Sequence, residues 1–128
     1  NDMPIAEARQ IVGDTFIIGG TITSFEDVLY HLQDAIPDYL GCGPFRFTST
    51  KKNLAPILGT EGYRNIIREM RDNQIHIPLV AIGGIGRSDI SPLLESGVDG
   101  IALSSSVLYA HNPIKEMKEI IHLIQTKY

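Results

Sequence analysis

The stretch Pro78-Leu79-Val80-Ala81-Ile82-Gly83-Gly84-Ile85-Gly86 decides the fold. Its apolar residues run into a glycine cluster, which is typical of a buried strand in a parallel sheet with backbone N–H groups exposed at its carboxyl end. A second stretch of this kind, Gly100-Ile101-Ala102-Leu103-Ser104-Ser105-Ser106, ends in hydroxyl groups. Because neighbouring parallel strands end at the same edge of a sheet, the two stretches predict a pocket for an anion, which we expect to be a phosphate.

Outward from these stretches, short apolar segments alternate with helical patterns along the chain. Strands are predicted over Phe16–Thr21, Asp38–Phe45, Pro78–Gly84 and Gly100–Ser104. One helix is predicted over 5–13, and others follow the strands, with starts at Ser24, Glu61, Ser88 and Asn112. A helix followed by four strand–helix units indicates a single α/β domain over residues 1–128, with a parallel sheet and right-handed crossovers.

Four strand–helix units do not close an eight-stranded (βα)8 barrel, which usually takes about 200 residues or more. The pattern leaves three architectures open: a small open sheet, a half-barrel fragment, or a half-barrel completed by another chain. A half-barrel alone would expose its inner face and two unpaired strand edges, and such surfaces favour association. We therefore expect a homodimer or another association that completes the barrel.

The composition restricts the partners of the chain. It has 128 residues, of which 43% are hydrophobic and 20% charged, and its net charge is −4. These values are typical of a globular domain and argue against a general binder of nucleic acids or membrane surfaces. No apolar run approaches the roughly 18 residues of a membrane span. The single Cys42 cannot form an internal disulfide, which fits a reducing cytoplasm.

Glycines and hydroxyl residues follow the predicted strands, at the edge where α/β proteins bind ligands. Gly83-Gly84 and the adjacent serines offer N–H and hydroxyl groups to a phosphate; the alternative is that the glycines only turn the chain. The loop Thr48-Ser49-Thr50-Lys51-Lys52 suits a phosphate or a pyrophosphate, and a solvated polar loop is its alternative. Asp2 either caps the first helix or contributes one carboxylate to Mg²⁺. Cys42 is expected to be a small buried residue.

The segment Gly43-Pro44-Phe45-Arg46-Phe47-Thr48-Ser49-Thr50-Lys51-Lys52 contains the pattern G-P-x-x-x-T-x-T-K. Together with Val80–Ile85, Gly97–Ala102 and Asp2–Arg9, it resembles the thiamine phosphate synthase (thiamine-phosphate pyrophosphorylase) family. The four segments match that family's sixth-strand loop, its seventh and eighth strands, and the segment after its fourth strand. The resemblance extends over the whole chain, and T-x-T-K is its most specific part.

The resemblance implies a (βα)8 barrel, a TIM barrel, of which this chain holds the units of strands 5–8. It implies a transferase of thiamine biosynthesis that joins hydroxymethylpyrimidine diphosphate to a thiazole phosphate, releases pyrophosphate and requires Mg²⁺. In the family's reaction the diphosphate leaves first, and the thiazole nitrogen traps the resulting cation. The protein then acts mainly by holding charges in place and excluding water.

Matching positions carry implied roles on the diphosphate side of the site. Asp2 resembles a magnesium-binding aspartate, and Lys51 resembles the lysine that contacts the diphosphate. Thr21 stands where the family has a serine near the diphosphate, so a hydroxyl group is kept at this place.

Other matching positions carry implied roles on the thiazole-phosphate side. Thr48 and Thr50 resemble the threonines that bind this phosphate. Gly84 and Ser105 resemble its backbone and hydroxyl contacts at the seventh and eighth strands. Ser104 is included as a phosphate contact, although the family has an apolar residue at this position.

Two alternatives to the synthase stay open. The related thiazole tautomerases tend to have a histidine after the fifth strand, where this chain has Thr23, and this difference favours the synthase. The second alternative is a half-barrel that binds phosphate without catalysis. The family's first four strands supply basic residues for the diphosphate and are absent from this chain. We therefore expect the chain alone to be inactive, or active only when complemented.

Overall fold

The structure is a computed structural model that describes residues 3–46 and 57–127. Its helices and strands are, in chain order, α1 (Ile5–Val12), β1 (Gly19–Ile22), α2 (Phe25–Asp34), β2 (Tyr39–Cys42), α3 (Gly59–Asp72), β3 (Leu79–Ala81), α4 (Ile90–Ser96), β4 (Gly100–Ile101), α5 (Ser105–Leu108) and α6 (Pro113–Lys127). A 3-10 turn at Arg87–Asp89 leads into α4. None of these helices is both long enough and apolar enough to cross a membrane.

The four strands form one parallel sheet in the order β1-β2-β3-β4. Gly20 pairs with Leu40, and Leu40 pairs in turn with Leu79. Each strand therefore lies beside its successor in the chain, and crossovers of one hand place the connecting helices on one face of such a sheet. The predicted α/β class with a parallel sheet is confirmed.

The core lies between one face of the sheet and helices α2, α3 and α4. Alternate strand residues point into it and are buried, namely Ile22, Leu40, Cys42, Leu79 and Ala81. The helices contribute Val28, Tyr63, Ile66, Ile67, Met70 and Leu93. The intervening strand residues point to the opposite face, where Tyr39 keeps 38% of its surface exposed. An open groove of about 540 Å³ crosses that face.

The strands are shorter than predicted because sheet pairing begins late and ends early. Phe16 and Ile17 are 62% and 78% exposed and precede β1. At Ile18, the N–H donates to the Asp38 carboxylate (2.8 Å) instead of to a neighbouring strand. At the other end, β3 stops before Gly83, whose positive φ of 91° leaves the extended conformation.

Two of the four predicted helix starts are confirmed by their caps. The Ser24 hydroxyl accepts the N–H of Asp27 (3.3 Å), and the Asn112 side chain accepts the N–H of Lys115 (3.1 Å). The Asp27 carboxylate accepts hydrogen bonds from the N–H and the hydroxyl of Thr23, the residue before the Ser24 cap. Burial raises the pKa of Asp27, but these hydrogen bonds outweigh it and hold the pKa below its usual value.

The other two predicted starts are wrong. Helix α3 begins at Gly59, two residues before Glu61. Ser88 does not cap α4, because it lies within the 3-10 turn. The Asp89 carboxylate stabilises this turn by accepting the N–H of Gly86 at 2.8 Å.

Tyr63 joins the core to the carboxyl edge of the sheet. Its side chain is fully buried, and its hydroxyl donates to the carbonyl of Cys42 at 2.6 Å, with the carbonyl of Ile82 at 3.4 Å. Burial raises the pKa of this phenol, so it stays a neutral donor at physiological pH. One side chain of α3 thus holds the ends of β2 and β3 together.

We expect Tyr63→Phe to lower the free energy of unfolding by about 1–2 kcal/mol, because the buried carbonyl of Cys42 loses its hydroxyl donor. Urea denaturation would measure the change. Tyr30→Phe is the matched control, since Tyr30 is 74% exposed and its hydroxyl should change stability by less than about 0.5 kcal/mol. Equal effects of the two substitutions would contradict the role given to Tyr63.

Candidate phosphate-binding site

The carboxyl ends of β2 and β3 interlock at two glycines. A Cβ atom at Gly43 would lie 2.4 Å from the carbonyl oxygen of Ile82, and a Cβ atom at Gly83 would lie 2.9 Å from the Cα of Pro44. Only a residue without a side chain lets the two backbones approach this closely. The carbonyl of Gly83 then accepts the N–H groups of Phe45 (3.1 Å) and Arg46 (3.2 Å).

An open groove of about 380 Å³ lies at this edge of the sheet, between the ends of β3 and β4. The groove brings together Gly84, Ser104 and Ser105, three of the residues predicted to contact phosphate. Both serines are exposed, and Ser105 is the first residue of α5. Backbone N–H groups beside hydroxyl groups form a surface suited to phosphate oxygens.

Thr21 lies elsewhere on the same face of the sheet. It is exposed near the end of β1, and it lines the 540 Å³ groove that crosses the uncovered face. Ile82 and Ala102 line this groove and the Gly84–Ser105 groove, so the two form a continuous surface. Thr21 therefore lies outside the candidate phosphate site, in the groove that adjoins it on the uncovered face of the sheet.

Four other predicted site residues, Asp2, Thr48, Thr50 and Lys51, lie outside the residues that the structure describes. Within residues 3–46 and 57–127, no group of three or more His, Cys, Asp or Glu side chains could hold a metal ion. The Mg²⁺ prediction therefore depends on Asp2 and on the phosphate oxygens of a substrate, and we derive no chemical step through the ion.

An ion pair that the sequence did not reveal borders the groove. The Arg46 guanidinium binds both carboxylate oxygens of Asp89, at 2.5 and 2.9 Å, and donates to the carbonyl of Gly84 at 3.0 Å. The ring of Phe45 lies under this guanidinium at 4.7 Å. The available signal was an arginine within a G-P-x-x-x-T-x-T-K segment, but its partner lies 43 residues away, and no sequence pattern links the two.

Two other side chains have clear structural roles. Cys42 is fully buried, as predicted, and burial raises the pKa of its thiol to about 12, so it is no nucleophile at neutral pH. The ring nitrogen Nε2 of His31 lies 2.9 Å from the carbonyl of Thr21. This contact covers part of the outer edge of β1.

A parallel α/β sheet with a groove at its carboxyl edge belongs to the class of α/β proteins that place their ligand sites at the ends of the strands. Comparison with known proteins identifies the family. The family model described as thiamine monophosphate synthase matches residues 1–107, and the chain belongs to this family.

Individual proteins similar to this chain are named as thiamine-phosphate synthases or as a thiamine phosphate pyrophosphorylase. The chain is 57% identical over 122 residues to the thiamine-phosphate synthase of Phocaeicola vulgatus and 56% identical over 122 residues to that of Bacteroides thetaiotaomicron, with 95% of this chain covered in each case. It spans 58% of the length of both relatives. Among solved structures, thiamine phosphate pyrophosphorylase from Pyrococcus furiosus superposes with a TM-score of 0.80 at 35% identity, covering 98% of this chain and 56% of that one.

We expect Gly83→Ala to destabilise the protein more than Gly13→Ala does. Both glycines have a positive φ, +91° and +83°, so both substitutions incur backbone strain of about 1–3 kcal/mol. A methyl group at position 13 would meet open space. A methyl group at position 83 would clash with Pro44, which should lower the free energy of unfolding by about a further 1–3 kcal/mol. Chemical denaturation of both variants would measure the difference. Equal losses would show that the two strand ends do not interlock.

We also expect an acid-dependent loss of stability that depends on Asp89. Burial raises its pKa, but the hydrogen bonds from Arg46 and Gly86 outweigh burial and hold the pKa below the unfolded value of 3.8. A depressed folded pKa stabilises the protein above pH 3.8, and this contribution is lost as the pH falls through the folded value. Asp89→Asn should therefore be less stable at pH 6 and lose less stability than the wild type between pH 6 and pH 3.

The readout is the urea midpoint at each pH. Asp72→Asn is the control, because this exposed carboxylate at the end of α3 forms no ion pair within the described part of the chain. It should keep the pH dependence of the wild type. An unchanged pH dependence in Asp89→Asn would show that its carboxylate does not stabilise the folded state.

Proposed function

We propose that this chain forms the thiazole-phosphate side of a thiamine phosphate synthase, a transferase that joins hydroxymethylpyrimidine diphosphate to a thiazole phosphate and releases pyrophosphate. One observation carries the proposal: Gly84, Ser104 and Ser105 line a single groove at the carboxyl edge of a parallel sheet. Membership of the thiamine monophosphate synthase family and relatives of that name at 56–57% identity support it.

We further propose that β1–β4 are strands 5–8 of a (βα)8 barrel and that residues 1–128 form one domain within it. The sequential strand order and the one-sided core are what a barrel requires, because its strands keep their inner face free of helices. The uncovered face would then be the barrel interior. Four further units would cover it, supplied by the remainder of a longer polypeptide or by a second copy of this chain in a homodimer.

In the proposed reaction, the carbon–oxygen bond to the pyrimidine diphosphate breaks, and the thiazole nitrogen forms a carbon–nitrogen bond to the methylene carbon. No proton has to be removed before that bond forms, so the site needs no general base and no nucleophile. Gly84, Ser104 and Ser105 would fix the thiazole phosphate through N–H and hydroxyl groups, which orients the ring nitrogen.

Thr21 and four residues outside the described part complete this proposal. Thr48 and Thr50 would bind the same phosphate, and Lys51 and Thr21 would contact the diphosphate as it leaves. Mg²⁺, held by Asp2 and phosphate oxygens, would neutralise negative charge on the departing diphosphate. Because its proposed substrates are small phosphorylated molecules, we place the protein in the cytoplasm. Its net charge of −4 argues against nucleic acid or membrane partners.

The test places this chain in the Phocaeicola vulgatus relative instead of the segment that it matches, so that the relative supplies the rest of the protein. The chimera should form thiamine phosphate and pyrophosphate from the two substrates with Mg²⁺, whereas the chain alone should not. Ser105→Ala and Thr50→Ala should each raise the KM for thiazole phosphate about tenfold, as expected for a lost hydrogen bond to a charged group.

Ser88→Ala is the matched control, because Ser88 is an exposed serine at the carboxyl side of the neighbouring strand β3 and lies outside the groove. It should leave the KM unchanged. A chimera that folds but forms no thiamine phosphate would contradict the proposal. Isomerisation of a thiazole carboxylate phosphate without pyrophosphate release would assign the chain to the tautomerases instead, and saturable binding without either reaction would leave a phosphate-binding module.

A further inference from the structure

We infer that the Arg46–Asp89 ion pair is a positioning device that aims the backbone N–H groups of Gly84 and Ile85 into the phosphate groove. The inference rests on the proposed function for the identity of the ligand. It concerns two side chains that do not line the groove themselves.

The pair holds residues 83–86, here called the glycine loop, from both sides. Arg46 donates to the carbonyl of Gly84 at 3.0 Å, while the Asp89 carboxylate accepts the N–H of Gly86 at 2.8 Å. Two N–H···O bonds, of 2.5 and 2.9 Å, join the guanidinium to the carboxylate. The backbone is therefore held at the carbonyl of Gly84 by Arg46 and at the N–H of Gly86 by Asp89.

Peptide geometry turns this restraint into an orientation. In a trans peptide the C=O and N–H groups point in opposite directions. The carbonyl of Gly83 accepts two N–H groups from the end of β2, and that of Gly84 accepts Arg46. The N–H groups of Gly84 and Ile85 consequently point away from β2. Neither has an acceptor among the described residues, and both residues line the groove.

The shape of the guanidinium matters more than its charge. Asp89 already neutralises Arg46, so the pair adds little net attraction for an anion. A planar fork can bind a carboxylate in two places and a carbonyl at the same time, whereas an ammonium group is a single point of charge. The ring of Phe45, which stacks on the buried Tyr63 at 6.3 Å between centroids, supports the guanidinium from below at 4.7 Å.

The pair also links the two predicted walls of the site. Arg46 stands two residues before Thr48 in the sequence, and Asp89 belongs to the turn that follows the glycine loop. The contact between them joins the loop after β2 to the loop after β3 at one point.

The first measurement needs no ligand. Backbone ¹⁵N order parameters of Gly84 and Ile85 are recorded for the wild-type chain, Arg46→Lys, Arg46→Ala and the control Arg87→Ala. Arg87 is the matched control, because it lies in the same connection and pairs with Glu116 and Glu119 without touching Gly84. We expect order parameters of about 0.85 in the wild type and the control, and below about 0.6 in both Arg46 variants.

The second measurement titrates thiazole phosphate into the same four proteins and follows the amide signals of Gly84 and Ile85. Both Arg46 variants should bind about tenfold more weakly, while Arg87→Ala should bind as the wild type does. A loss in Arg46→Lys as large as in Arg46→Ala would identify the geometry of the fork, and not the positive charge, as the cause.

The outcomes separate this inference from the proposed function. Unchanged order parameters in both Arg46 variants would overturn the inference, and so would an equal loss of order in Arg87→Ala. If order falls only in the Arg46 variants but the wild-type chain binds no thiazole phosphate, the pair does orient the loop and the proposed function fails. Arg46→Lys keeps the test valid if Arg46→Ala does not fold.

Discussion

The hydroxyl group of Tyr63 is the contact on which the carboxyl edge of the sheet depends. Regular pairing of β2 with β3 ends at Cys42 and Ala81, yet the backbone of both strands continues in close contact beyond this point. A buried hydroxyl that bonds the carbonyl of Cys42 and lies near that of Ile82 holds the two ends together from the core side. The glycine loop therefore begins from a fixed point, which a binding site for a small anion requires.

Within the described residues, the groove at this edge has almost no charged groups of its own. The groove exposes backbone N–H groups and hydroxyls, while the nearby Arg46 is neutralised by Asp89. A chain with a net charge of −4 can hold such a site because the attraction is local and directional. In the proposed site, the orientation of these neutral donors would take the place of a positive patch.

The uncovered face of the sheet is the second constraint. The side chains of Ile17, Tyr39 and Val80 line an open groove on that face. An uncovered face of this kind is unusual, because helices normally cover both faces of an open parallel sheet. The chain covers 58% of the length of its relatives from Phocaeicola vulgatus and Bacteroides thetaiotaomicron. A sheet that buries one face against helices and leaves the other open is suited to completion by further strands.

The sequence by itself determined the parallel α/β class, because short apolar segments and helical patterns alternate and each pattern depends only on near neighbours in the chain. It also determined that glycines and serines end the strands, and the groove at Gly84 and Ser105 contains these residues. It did not determine the strand limits or the partners of Arg46 and Tyr63. Those features depend on contacts across 19 to 43 residues, such as Arg46 with Asp89 and Tyr63 with Ile82, and only the tertiary structure decides which distant groups meet.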